Sequence, residues 1–137
     1  MKFRNATPDD REAVIALWRA CGLTREWNDP VKDFDFALAG ATSTILIHEI
    51  AGKTVATVMV GHDGHRGAIY YLAVSPEHQK MGLGKAAVVA AEDFLKGLGL
   101  WKINLMIRNE NESAQGFYNA IGFETNAVMS LGKKLPK

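Results

Sequence analysis

Two glycines two positions apart, Gly82 and Gly84, stand in the run "SPEHQKMGLGKAAVVAAEDFLKGLGL", where a proline-marked turn gives way to a long apolar-periodic segment. Glycine at the mouth of a helix lets an anion approach the backbone. No β-carbon stands in the way, the first amides lack partners within the helix, and the helix dipole favours negative charge. Lys80 and Lys85 add countercharge. The chemistry suited to this pattern is the binding of a phosphate or pyrophosphate. The bland alternative is that the glycines merely relieve close packing of helix on strand.

Two phosphate motifs fail against this segment. A P-loop, G-x-x-x-x-G-K-[ST], is half met by Gly84 and Lys85, but Gln79 stands where the first glycine belongs and Ala86 where the hydroxyl belongs. A dinucleotide fingerprint is matched literally by Gly82, Gly84 and Ala87. It should follow a strand directly, yet "SPEHQKM" intervenes after Val74, and the acidic residue expected further on is at best Glu110. The preceding strands also lack the β-α-β units of a full nucleotide site, which makes a NAD-binding oxidoreductase the distant rival.

The elements that must position this loop follow from period and punctuation. After a short strand near "KFRNA", Thr7 fits a helix N-cap, Pro8 the first helical position, and Asp9 and Asp10 the positive end of the dipole. Val14, Ile15, Leu17 and Trp18 form the apolar face, and Gly22 closes the helix. "NDPVKDFDFALAG" repeats the device, with Asp29 as cap, Pro30 first and Gly40 at the end. "STILIHEI", "TVATVMVG" and "AIYYLAV" then read as three strands of an antiparallel meander. A helix from about Gly82 to Lys96, a strand "KINLMIR", a short helix "NESAQGFYNAIG" and strand pieces around "FET" and "AVMSLGKKL" complete the order β-α-α-β-β-β-α-β-α-β-β. The expectation is one mixed α/β domain over residues 1–137, its mostly antiparallel central sheet flanked by helices. A parallel β-α-β crossover carries the glycine loop.

The run Gln79-Lys80-Met81-Gly82-Leu83-Gly84 resembles the [QR]-x-x-G-x-[GA] signature of the GCN5-related N-acetyltransferases, and it follows a strand ending in "LAVSPEHQ" as that family's does. Further on, Asn111, Ala114, Phe117, Tyr118, Gly122 and Phe123 fall on the family's N-x-x-A-x-x-F-Y-x-x-x-G-F element. The element order matches that fold from end to end, and "WNDP", the turn before "AIYYL" and the closing "SLGK" are similar to a small bacterial subgroup. The resemblance implies acetyl-CoA as the cofactor. Its pyrophosphate would lie on Gln79, Lys80, Met81, Gly82, Leu83, Gly84 and Lys85, and its pantetheine in a V-shaped gap beside Leu72, Ala73 and Val74. One of those backbone amides would polarise the thioester carbonyl. Asn111, Ala114 and Phe117 would belong to the same cofactor site, with Asn111 either bonding the cofactor arm or capping its helix. Tyr118 would give a proton to the leaving thiolate; its bland reading is a core aromatic.

The general base stays open. "TVATVMVG" and "AIYYLAV" contain no carboxylate, so the candidates are His62, Asp63 and His65 in the turn between them, Glu26, Asp29 and Asp33 near the first interhelical loop, or a water chain. In this fold the acceptor pocket would lie between "LTREWNDP" and that turn, with Trp27 as a wall, Asp29 and Asp33 attracting a cationic amine, and Arg66 and Tyr70 orienting a carboxylate or backbone group of the acceptor. The acceptor, a small-molecule or protein amine, is not specified. A non-catalytic acyl-CoA-binding or regulatory module on the same fold is the alternative.

Composition bounds these readings. The chain has 137 residues, 47% hydrophobic and 23% charged, with a net charge of +1. That argues against a nucleic-acid partner, which asks for a basic excess, and "GKKLPK" reads as a solvated tail. No apolar run reaches the roughly 18 residues of a membrane span, and "MKFRNATPDD" has no signal-peptide core. A cytoplasmic protein without a metal site is expected. Cys21, the single cysteine, reads as a buried structural thiol. A homodimer through an edge near "AVMSLGKKL" is left open.

Overall fold

Alternating apolar residues bring three long strands side by side. The computed structural model describes residues 1–136, arranged as two compact units that divide after Leu105. In the first, β1 (Arg4–Asn5), α1 (Arg11–Ala20), α2 (Pro30–Ala39), β2 (Ser43–Ile50), β3 (Lys53–His62), β4 (Gly67–Val74), α3 (Leu83–Gly97) and β5 (Ile103–Asn104) follow in order. Short 3-10 turns at Pro8–Asp10 and Pro76–His78 lead towards α1 and α3. The sheet order is β1-β2-β3-β4-β5. Its first three pairings are antiparallel and the β4–β5 pairing is parallel, as the crossover predicts.

Strand alternation sorts side chains to two faces. Ile45, Ile47 and Ala73 join Val14, Ile15, Leu17, Trp18, Phe34 and Ala37 under α1 and α2. Trp18 and Phe34 are wholly buried, and each such side chain contributes about 1.5–3 kcal/mol of burial. On the other face α3 packs through Leu83, Ala87, Val88, Ala91 and Leu95. Gly67 opens β4 against this helix: a β-carbon there would collide with Leu95.

The second unit contains α4 (Glu112–Ala120). The strand pieces expected around "FET" and "AVMSLGKKL" do not form: residues 123–136 hold neither helix nor strand. Val128, Met129, Leu131 and Leu135 are at least 80% exposed, so their apolar side chains provide no burial that would fix a strand register. Gly132, two lysines and Pro136 also make the segment a poor strand. "KINLMIR" is likewise shortened to Ile103–Asn104. Lys137, the end of the expected tail, lies outside the described residues.

Candidate active site

The β4–β5 ladder consists of Gly67 opposite Ile103 and Ala68 opposite Asn104. β4 then runs six residues beyond its last residue paired with β5. Its backbone orientation changes along the way. Gly67 N donates towards β5, to Lys102 O at 2.9 Å, whereas Ser75 N donates towards β3, to Val55 O at 2.8 Å. Both positions are odd, and an unbroken strand would aim both the same way. The break is a bulge: between Thr57 opposite Ala73 and Met59 opposite Tyr70, β4 carries one residue more than β3. Past it, Leu72 and Val74 present amide and carbonyl to the open side, while Ala73 faces Thr57 on β3. Of the three residues expected to offer free backbone groups, Ala73 therefore does not. Val74 O accepts from the Cys21 thiol at 3.2 Å and, at 3.5 Å, from the Gln79 side-chain amide. Cys21 is half-buried rather than buried, and burial raises its pKa, which keeps the thiol protonated.

The glycine loop follows directly. Lys80 has φ +66° and Gly82, the residue before α3, has φ +81°. A β-carbon on Gly82 would meet nothing nearer than Met1 Cε at 3.9 Å, so packing relief does not explain this glycine; the left-handed backbone does. No side chain caps α3. Its first intrahelical bond runs from Ala86 N to Gly82 O at 3.0 Å, which leaves the amides of Leu83, Gly84 and Lys85 ahead of the ladder. Met81, Lys80 and Lys85 are exposed, and neither lysine enters a salt bridge among the described residues. These residues can take an anion. His78, in the turn before the loop, went unassigned in the sequence. Its Nδ1 is buried and, among the described residues, has no hydrogen-bond partner. A histidine within "SPEHQ" was the available signal. Between α3 and the β1–β2 edge a groove of about 850 Å³ is lined by Met1, Phe3, Leu46, Lys85, Val89 and Phe94, among others.

The turn between β3 and β4 is closed on itself. Asp63 Oδ1 accepts from the amides of His65 and Arg66, both at 2.8 Å, and these bonds lower its pKa. A carboxylate held in its charged form this way is a poor proton acceptor. His62 Nδ1 accepts from Gly64 N at 3.0 Å, and the Arg66 guanidinium donates to His65 O at 3.1 Å. The His65 side chain is exposed.

Near the first interhelical loop, Asp29 caps α2, accepting from Val31 N at 2.9 Å and Lys32 N at 3.4 Å. Asp33 accepts a 2.6 Å bond from Tyr71 OH. Burial and this neighbouring carboxylate push the Tyr71 pKa well up, so the phenol stays a donor. Trp27 and Tyr70 are exposed, at 60% and 48%.

In the second unit, Asn111 caps α4, its Oδ1 accepting from Ala114 N at 3.1 Å. Tyr118 is 9% exposed, with Phe117 and Phe123 edge-on to its ring at centroid distances of 5.0 and 5.3 Å. Burial pushes its hydroxyl up to about 12, so it stays protonated through the neutral range.

The chain matches the model of the Acetyltransferase (GNAT) family over residues 7–123. An acetyltransferase of Pectobacterium atrosepticum is 41% identical over 135 residues, spanning 98% of this chain and 96% of that one. One from Sodalis glossinidius is 40% identical over 136 residues, with the same coverage. The chain therefore belongs to the GNAT acetyltransferase family. Among solved structures, the aminoglycoside acetyltransferase AAC(6')-Iy in complex with a CoA bisubstrate analogue superposes with a TM-score of 0.83, covering 98% of each chain at 15% identity. A putative acetyltransferase from Agrobacterium tumefaciens gives 0.81 at 19% identity, covering 98% of this chain and all of that one. At such identities the likeness is one of fold.

Proposed function

We propose that this protein is a single acetyltransferase domain that moves an acetyl group from acetyl-CoA to a primary amine by direct attack. The carrying observation is the glycine-opened, uncapped start of α3, placed just beyond the open end of β4. The family match runs unbroken across the division at Leu105, which supports treating both units as one domain. The amides of Leu83, Gly84 and Lys85, with Lys80 and Lys85, bind the pyrophosphate, and the Leu72 backbone and the Val74 amide bond the pantetheine arm. The amine nitrogen forms a bond to the thioester carbonyl carbon as the C–S bond breaks, while a backbone amide of β4 stabilises the oxyanion. By its place in the family motif, Tyr118 supplies the proton taken up by the departing thiolate. The proton lost by the amine passes to His65 or to water, since Asp63 is committed to its turn. Trp27, Arg66 and Tyr70 remain the acceptor-side candidates.

Acetyl-CoA is the acyl donor, so its binding is tested first, by titration calorimetry with NAD and ATP as controls. Micromolar binding of acetyl-CoA alone supports the reading; no binding, or preference for NAD, overturns it. Amine acceptors are then screened by thiol release. Aminoglycosides head the screen because structural neighbours of this fold act on them. A second reading, acyl-CoA binding without turnover, is favoured by the absence of a carboxylate from β3 and β4. It predicts CoA affinity with no thiol release from any amine.

A further inference from the structure

The bulge in β4 holds a tyrosine in the left-handed region, Tyr71 at φ +50°. A residue other than glycine keeps that conformation where its surroundings fix it. Three contacts do so here, one from each of three other elements, and a fourth bond ties two of those partners together. The Tyr71 ring stacks on Trp18 of α1, centroids 3.9 Å apart and planes within 14°. Its hydroxyl donates to Asp33 of α2 at 2.6 Å. Its carbonyl accepts from Thr57 Oγ1 of β3 at 3.3 Å, and that same oxygen accepts from Trp18 Nε1 at 3.1 Å. An indole N–H can only donate, so the single proton of the Thr57 hydroxyl is directed at the Tyr71 carbonyl. Thr57 and Trp18 are both wholly buried.

We propose that Trp18, Thr57, Tyr71 and Asp33 form a positioning clamp that sets which backbone groups of β4 face the acyl-CoA arm. The inference deepens the acetyltransferase reading and rests on it. Without the extra residue, strand alternation would turn Ala73 to the open side and hide Leu72 and Val74. The clamp holds that reversal in place. The hydrogen bonds and ring contacts of its four side chains run to α1, α2, β3 and β4 and not to the glycine loop, so it acts on the pantetheine half of the site and not on the pyrophosphate half.

The test compares two ligands on the intact protein by titration calorimetry: acetyl-CoA, and adenosine 3′-phosphate 5′-diphosphate, which carries the pyrophosphate but no pantetheine. Thr57→Val keeps the volume and removes both hydrogen bonds. It should weaken acetyl-CoA binding about tenfold, as expected for breaking a buried hydrogen-bond relay, and leave the pantetheine-free ligand at wild-type affinity. Thr57→Ser, which retains the hydroxyl, should restore acetyl-CoA binding. Tyr71→Phe, which keeps the ring on Trp18 and loses Asp33, should show a smaller loss with the same selectivity, and it carries the test if Thr57→Val does not fold. Folded variants that bind both ligands as the wild type does would overturn the clamp, and so would an equal loss of both. Wild-type protein that binds neither ligand would overturn the acetyl-CoA reading itself, and the clamp with it.

Discussion

The turn at 62–66 and the loop at 79–85 both contain glycine in the left-handed region, and both lie at an end of β4. They use their amides in opposite ways. In the turn, Asp63 takes the His65 and Arg66 amides for itself. In the loop, no side chain takes the amides that open α3, whereas α2 and α4 are capped by Asp29 and Asn111. Orphan donors at a helix start are met by solvent or by a bound group, and in the function proposed above the pyrophosphate would take them. A site of this kind is recognised by the side chain it lacks.

The largest expected effect comes from giving the loop what the turn already has. Gly84 lies in the first turn of α3 and not in the left-handed region, so Gly84→Asp forces no unfavourable φ, and a carboxylate there suits the helix dipole. The variant should melt at or above the wild-type temperature, yet bind acetyl-CoA about 100-fold more weakly, a cost of roughly 2.7 kcal/mol. Unchanged affinity by calorimetry would remove the loop from the site.

Next in size is Tyr118→Phe. Turnover with an accepted amine should fall about 30-fold, below the roughly 100-fold or more usual for loss of a general acid because water can also protonate a thiolate, while the acetyl-CoA dissociation constant stays within about twofold. Because the hydroxyl sits at about 12, the wild-type profile should show no ionisation of Tyr118 between pH 6 and about 10. An alkaline limb in that range that vanished in the variant would contradict this placement.

A smaller effect is expected from the closed turn. Asp63→Asn should lower the melting temperature slightly and leave saturated turnover within about twofold, because a carboxylate already bonded to two amides is not the base. A large fall in turnover with an altered acid limb would restore Asp63 as a catalytic candidate.

The smallest test uses another self-closed start, the turn before α1. Asp10 accepts from Thr7 N at 2.8 Å and takes both Arg4 terminal nitrogens at 2.9 Å, which hold its carboxyl near 2, below its ordinary 3.8. The folded value is depressed, so this stabilisation is present above about pH 4 and is lost as the pH falls through 2. Asp10→Asn should cost about 0.5–1 kcal/mol at neutral pH, screening by solvent included, and flatten the acid unfolding curve in that window. An unchanged curve would show that Arg4 gains nothing from the pairing.

Local chemistry was legible in the residues themselves. Pro30 after Asp29, Gly22 past a periodic helix, and β-branched runs broken by "AGK" each name a structure within a few positions. The glycine loop was legible for the same reason, since left-handed backbone and free amides are properties of a short segment. The bulge was not: "AIYYLAV" reads as one unbroken strand. The partners that fix Tyr71 lie 14 positions away at Thr57 and 38 away at Asp33. "AVMSLGKKL" erred the other way, reading as a strand where the structure has none.

By itself, then, the sequence determined where α2, α3 and α4 begin and end to within a residue or two, which two glycines open α3, and that no carboxylate lies on β3 or β4, whereas the segment read as the first turn of α1 is a 3-10 turn over Pro8–Asp10. Those features follow from φ preferences, capping and composition, which act over a few bonds. The tertiary structure alone decided that Asp33 belongs to Tyr71 and that Leu72 and Val74, not Ala73, face the open side of β4. It did so because bulges and buried hydrogen bonds depend on contacts between distant segments, and the packing of α1 and α2 on the sheet selects among strand phases that the residues leave open.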